Sequence, residues 1–299
     1  MSAMNATMSA SSAKPMSATS ALPPLHRHGW RMPSWVGGLL RGLLIGLLAV
    51  AIFGPLLNML IWTVTEAWYF PAKLPVRWGF AFWTKVFRPE AGAMKALWTS
   101  LVIAVLTVAL SLAVAVPAGY ALSKRDLPMR SLFLLFFLLP QAFPTIAVHL
   151  NIARIFYGLG LTGTIAGVML VHAIQGLVFA VWIASATFAA IGTEQVEAAR
   201  NLGASPLRAF MTVSLPLAAP GLLASAIFVF LISLDEFSGT FFVGVPNVRT
   251  LPLTMLNAAL EGNYQIASIT ALLLLVPSVL FMLFVERFLK ADVLSGVGK

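Results

Sequence analysis

GTEQVEAARNLGASPLRAFMTVSLPLAAP, residues 192–220, is the longest segment that lies between two hydrophobic spans and still reads as short, punctuated amphipathic helices. Thr193 is placed to cap a helix whose first turns hold Glu194 and Glu197, acids at the end where the helix dipole favours them. Gly203 stops that helix. Ser205 followed by Pro206 is a cap plus a first-turn proline, which predicts a second short helix starting there and ending before Pro216. The segment therefore reads as two helices joined by a glycine elbow, with apolar sequence on either side.

That apolar sequence sets the class. Of 299 residues, 60% are hydrophobic and 10% charged, whereas a soluble domain carries about 25% charged residues. The chain is a polytopic membrane protein. Its formal charge of +9, from 19 basic and 10 acidic residues, fits orientation and lipid contact in a membrane rather than nucleic-acid binding. With no cysteine, disulfides, thiolate metal sites and thiol catalysis are excluded.

Charges locate the spans. Arg41 to Glu66 encloses 24 uncharged residues, Lys95 to Lys124 encloses 28, Arg130 to Arg154 encloses 23, Arg208 to Asp235 encloses 26 and Glu261 to Glu286 encloses 24. A helix of that length reaches about 36 Å, enough to cross a hydrocarbon core of roughly 30 Å. The 39 uncharged residues between Arg154 and Glu194 must include a loop, which places a span near Thr164 to Ala189. The expected fold is all-α, with six transmembrane helices and the cytoplasmic helix–elbow–helix between the fourth and fifth. The expected organisation is a disordered cytoplasmic tail over 1–35, an accessory first helix and outer loop over 36–95, a five-helix core over 96–289 and a cytoplasmic tail over 290–299.

Basic residues orient the bundle. With the N-terminus inside, the inner segments carry 12 lysines and arginines and the outer segments 7, which favours both termini in the cytoplasm. The first outer loop is an exception, holding Lys73, Arg77, Lys85, Arg88 and Lys95. Within the spans, Gly38, Gly42 and Gly46, and then Ser111, Ala115 and Gly119, repeat at the spacing that lets helix backbones approach in lipid. Pro117, Pro140, Pro144 and Pro277 mark bends that face protein rather than lipid.

Acids at membrane depth are functional candidates by default. Asp235 lies 14 residues beyond Gly221, about 21 Å along a helix and so in the outer half of the fifth span. Adjacent helical residues point about 100° apart, so Asp235 and Glu236 share one path only if the helix breaks near Gly239. Glu236, on a face with Ser225, Ser233 and Thr240, is the stronger path residue; a helix-end acid paired with Arg249 or Arg154 is the alternative. His149, His172 and Gln175 are the other polar groups at depth, and His172 and Gln175 share a face at i,i+3 suited to an interhelical hydrogen bond or to the path. The spacing Gly158, Gly160, Gly163 matches a dinucleotide fingerprint but lacks the strand and acidic residue it needs, so it reads as a tight outer turn. No serine–histidine–aspartate or carboxylate pair with catalytic spacing lies outside the spans, which argues against an enzyme.

Glu197, Ala198 and Ala199, then Gly203, then Leu215 and Pro216 resemble, element for element, the EAA loop of MetI-like permease subunits of binding-protein-dependent ABC importers. The resemblance covers about 96–287. It implies a second permease subunit, identical or homologous, a cytoplasmic ATPase dimer docked on the loop and a substrate-binding protein outside, in a bacterial inner membrane. The chain has no G-x-x-x-x-G-K-[ST], so no cofactor is expected on it, and ATP and Mg belong to the partner ATPase. SLDEF, residues 233–237, and RTLPLTML, residues 249–256, look similar to spermidine and putrescine permeases, which implies a polyamine cargo. Permeases for 2-aminoethylphosphonate and ferric iron share much of this pattern. A passive channel or scaffold would account for the spans but not for the EAA, Gly, Leu-Pro spacing.

Overall fold

The computed structural model describes residues 34–123 and 128–296, with side chains from 37 to 287 inside those limits. Lys124, Arg125 and nearly all of the tail expected over 1–35 lie outside the described residues. The chain divides into two units, residues 1–52 and 53–299. Helix α1, Ser34–Thr63, begins in the first. A Cβ added at Gly38, Gly42 or Gly46 meets open space, so that row makes no close approach within its own unit.

In the second unit, α1 gives way to a small antiparallel hairpin, β1 (Thr65–Ala67) and β2 (Arg77–Trp78), and to the short helix α2 (Ala81–Phe87). None of these is visible in the hydropathy, because the strands hold only three and two residues. The spanning helices follow as α3 (Ala93–Ser123) and then α4 (Arg130–Leu138) with α5 (Thr145–Gly158) and α6 (Ile165–Ala190). After α6 come α7 (Thr193–Asn201), α8 (Pro206–Ala209), α9 (Leu215–Asp235), α10 (Leu251–Leu260) and α11 (Tyr264–Gly296). Among the described residues five helices are long and apolar enough to cross a membrane, with a sixth span if α4 and α5 count as one.

Two spans differ from expectation. The third is bent by 96° between Ala142 and Thr145. Pro140 and Pro144 remove two donors four residues apart, and the chain responds with a tight turn from Leu139 to Ala142 and an extended Phe143. The fifth span starts earlier than expected, because Pro206–Asp235 runs as one 30-residue helix. Pro216 does not end it: the preceding turn, Phe210–Ser214, widens into a π-helix in which the Leu215 N–H reaches Phe210 O. Pro117 and Pro277 likewise sit inside unbroken helices, and α11 continues past residue 290 to Gly296.

The centre of the second unit is α3, α6 and α9 packed side by side. Ala115 and Leu122 of α3, Ala180, Ala184 and Phe188 of α6, and Ala218 and Val229 of α9 form its buried cluster. The Ser111, Ala115, Gly119 row serves the expected purpose. A Cβ at Gly119 would lie 2.8 Å from the backbone at Ala184 and Ser185, so α3 and α6 touch at a distance that only glycine permits. At the other end, Ser100 of α3 accepts from the Leu251 N–H (2.8 Å) and so ties down the N-terminus of α10.

Candidate functional site

Two sites emerge, at opposite ends of α9. At its beginning lies the elbow. The α7 helix starts at Thr193, preceded by an extended Gly192 with no side-chain cap, so Thr193 is the first helical residue and not the cap. Its C-terminus is closed as a Schellman motif: the Gly203 N–H donates to Arg200 O (2.9 Å) and the Ala204 N–H to Ala199 O (3.1 Å). The motif requires a left-handed residue after the cap, and Gly203 supplies it at φ +88°. Ser205 then caps α8 as expected, its hydroxyl accepting from the Arg208 N–H at 3.3 Å with Pro206 at the first helical position.

The elbow's outer surface is bare. Glu197, Ala198 and Arg200 are exposed, and no ion pair forms between Glu197 and Arg200. Leu202 is 91% and Leu207 71% exposed, a stretch of apolar surface on a connection between spans that is otherwise polar. Its inner surface is anchored. Phe210, in the widened turn, packs against Tyr120 of α3 (4.7 Å between ring centres) and Phe188 of α6 (6.0 Å), and Tyr120 meets Phe188 edge-on at 5.4 Å. Leu215 packs against the same buried cluster, and Pro216 follows it on the exposed side.

At the far end, α9 stops at Asp235 and Glu236 is extended, ψ 114°. The break expected near Gly239 falls at residues 236–237, and the next helical turn starts at Ser238. The helical-face argument for Glu236 therefore does not apply, and the break lets both acids line one cavity of about 460 Å³ with Gln141, Thr145, Gln175 and Ser238. Aromatic rings of Phe179 and Phe228, 6.2 Å apart, form part of its wall. Asp235 is exposed to it, whereas Glu236 is 9% exposed.

Glu236 is held by its own turn. Its Oε1 accepts from the Ser238 hydroxyl (2.7 Å) and the Gly239 N–H (2.8 Å), the arrangement by which an acid caps the N-terminus of a helix. His149 of α5, fully buried, braces that turn: its Nδ1 lies 2.7 Å from Ser238 Oγ and 3.7 Å from Glu236 Oε1, and its Nε2 accepts from the Gln175 amide N–H at 3.1 Å. His172 does the same one turn away, bridging Ser233 (2.9 Å) and Thr240 (3.0 Å). These bonds stitch α5 and α6 to both sides of the break, each worth about 0.6 kcal/mol in a bundle of this kind. His172 and Gln175 thus make the interhelical bonds expected of them. Gln175 also lines the cavity, whereas His172 lies behind it. Neither acid pairs with Arg249 or Arg154. No cluster of three metal-ligating acids or histidines exists among the described residues.

Ser238 and the aromatic wall are what the sequence did not single out for the site, and His149, named as a polar group at depth, was given no role in it. His149 and Ser238 are 89 residues apart, and nothing local in either stretch announces the pairing. Gly160 and Gly163, at φ +69° and +71°, do form the tight turn read from their spacing.

Comparison with known proteins gives this geometry a class. Residues 115–291 match the family described as the binding-protein-dependent transport system inner membrane component, and the chain belongs to that family. It is 30% identical over 206 residues to a putative ABC transporter permease protein, ORF1, of Streptomyces antibioticus, covering 67% of this chain and 89% of that one. The trehalose transport system permease SugB of Mycobacterium tuberculosis is 29% identical, over 68% and 76% of the two chains. The putative 2-aminoethylphosphonate transport system permease PhnV of Salmonella typhimurium is 27% identical over 82% and 91%. In fold, the chain is similar to a bacterial ABC transporter that imports alginate (TM-score 0.61, 20% identity, 85% of this chain and 97% of that one). It is also similar to the MetNI methionine transporter (TM-score 0.55, 18% identity, 68% and 97%). The protein is the permease subunit of an ABC importer, a multi-pass inner-membrane protein.

Proposed function

We propose that residues 192–220 receive a separate ATPase and that cargo crosses through the cavity at the break in α9. The observation that carries the reading is the elbow: a glycine-locked pair of helices, bare outside at Ala198, Leu202 and Leu207 and anchored inside through Phe210. A docked ATPase dimer, closing on ATP and Mg, pushes the elbow. Because α8 continues without interruption into α9, and because Phe210 is wedged against α3 and α6, the push moves the central helices and not a slack linker. The far end of the same helix is the break at Glu236, so the mechanical input and the cargo cavity sit on one rigid element. Two such subunits, identical or homologous, face each other across the path, with the elbow in the cytoplasm and a substrate-binding protein delivering cargo from outside.

The cavity favours a small solute with an ammonium group. Asp235 and Glu236 supply negative charge, Gln141, Thr145 and Gln175 supply neutral hydrogen-bonding groups, and Phe179 and Phe228 supply ring faces that also attract cations. A polyamine meets this description, as does 2-aminoethylphosphonate. The PhnV relatives add support to the aminoalkyl phosphonate, while the polyamine reading rests on the acidic cavity and the 233–237 and 249–256 segments.

Co-purification with the ATPase subunit tests the elbow. Gly203→Pro cannot adopt a positive φ and has no N–H for Arg200 O, so the ATPase is expected to be lost while the permease still extracts as a monodisperse species. Retention of the ATPase by a folded Gly203→Pro protein would overturn the assignment.

A further inference from the structure

The basic first outer loop, an exception to the charge rule that orients the rest of the chain, is a built structure. Trp62, in the last turn of α1, stacks on Trp68 at 4.6 Å and leans on Tyr264, the first residue of α11, at 5.2 Å. The Trp83 indole donates to Thr63 O (2.7 Å) and the Trp68 indole to Ala72 O (3.0 Å). Glu66 joins the strands through Arg77 (2.8 Å) and accepts from the Ala81 N–H at the start of α2 (3.3 Å). Val86 of α2 is buried with Ala93, Ala96, Leu251 and Ile269. The hairpin and α2 are thus clamped at the height where two spans end, the level at which tryptophan and tyrosine mark a membrane interface. That level is the end of α9 remote from the elbow.

What the clamp leaves outside is unusual for a water-facing loop. Phe70 is 95% exposed, Phe80 66% and Tyr69 64%, while Lys73, Lys85 and Arg88 are exposed and lack an acid partner among the described residues. Lys85 also lies over the Phe82 ring, 4.3 Å from its centre. Arg77 is neutralised by Glu66, and Glu90 is the other acid of the loop.

We propose that this hairpin and α2 form a foot that binds the phosphate groups of anionic phospholipids in the leaflet opposite the elbow. The exposed rings enter the headgroup layer, continuous with the lipid-facing surface of the spans, while Lys73, Lys85 and Arg88 meet the phosphates. Charge complementarity favours a lipid over a polar protein surface, because the cations are interleaved with bare aromatic rings at membrane height. It also gives the translocated cations a function that offsets their orientation penalty. The proposal is independent of the cargo and of the elbow.

The test reconstitutes the full-length permease in mixed micelles of phosphatidylglycerol and phosphatidylcholine at equal mole fractions, re-purifies it, and measures the ratio of retained lipids by mass spectrometry. Wild type is expected to enrich phosphatidylglycerol by roughly five-fold or more, and Lys73→Gln/Lys85→Gln/Arg88→Gln by less than about two-fold. The charge-keeping Lys73→Arg/Lys85→Arg/Arg88→Lys protein is expected to behave as wild type, and added salt to erase the wild-type enrichment. If the neutralised triple fails to fold, the charge-keeping triple and the salt series decide: enrichment lost with charge kept, or insensitive to salt, overturns the proposal. An unchanged ratio in a folded neutralised triple also overturns it. So does unchanged lipid enrichment with reduced capture of the external binding protein, which would make the foot a protein-docking surface.

Discussion

Gly203, before the fifth span, and Glu236, just past its end, have proposed functions that single substitutions separate. Gly203 holds φ +88°, a conformation that costs an L-residue roughly 1–2 kcal/mol. Gly203→Ala is therefore expected to weaken ATPase co-purification partially while leaving the thermal midpoint of the permease within a few degrees of wild type; binding equal to wild type would remove the elbow from the coupling path. Glu236→Gln keeps the oxygen that accepts from Ser238 and Gly239 and removes the charge. Assembly should be unchanged and uptake of an ammonium-bearing cargo reduced about ten-fold or more, the value of a charge-assisted contact. Uptake of 2-aminoethylphosphonate and of a polyamine by proteoliposomes measures this, and equal uptake by the variant would confine Glu236 to capping its turn. Gly203, Ser205 and Pro206 were legible in the sequence because their conformational demands are local. Glu236 was legible as an acid at depth, but not its environment, because its brace comes from His149 on another helix.

Among the elements, helices that pack and helices that wait for a partner respond differently. At Gly119, α3 and α6 are so close that Gly119→Leu would place side-chain atoms in the backbone at Ala184; a loss of roughly 1–3 kcal/mol or more is expected, read as a lowered midpoint in a thermal extraction assay. The elbow should behave in the opposite way. Leu202 and Leu207 are exposed within this chain, so Leu202→Ser/Leu207→Ser should leave that midpoint unchanged and reduce ATPase capture. A drop in the midpoint without loss of capture would mean that these leucines pack within the permease. The spans were readable from charge spacing because lipid demands long uncharged helices. The sharp bend at 143 and the passage of a helix through Pro216 were not, since proline predicts a disturbance but not its form. One site resolves the lost donors by turning the chain, the other by widening one turn into a π-helix. The hairpin after α1 was invisible because strands of three and two residues leave no periodicity.

At the scale of the whole molecule, α9 links the elbow to a cavity lined by two acids, with α3 and α6 packed along it. The membership of the family and the bare face of the elbow support the central proposal, that a separate ATPase binds residues 192–220 on the cytoplasmic side. The chain lacks cysteine, which makes a single reporter possible. In inside-out vesicles, Ala198→Cys should react readily with a membrane-impermeant maleimide and be protected about ten-fold when the ATPase subunit is bound, as expected for a residue buried in a stable interface. Thr84→Cys, on the opposite foot, should stay unreactive until the vesicles are opened. Labelling of Ala198→Cys at the same rate with and without bound ATPase would contradict the account.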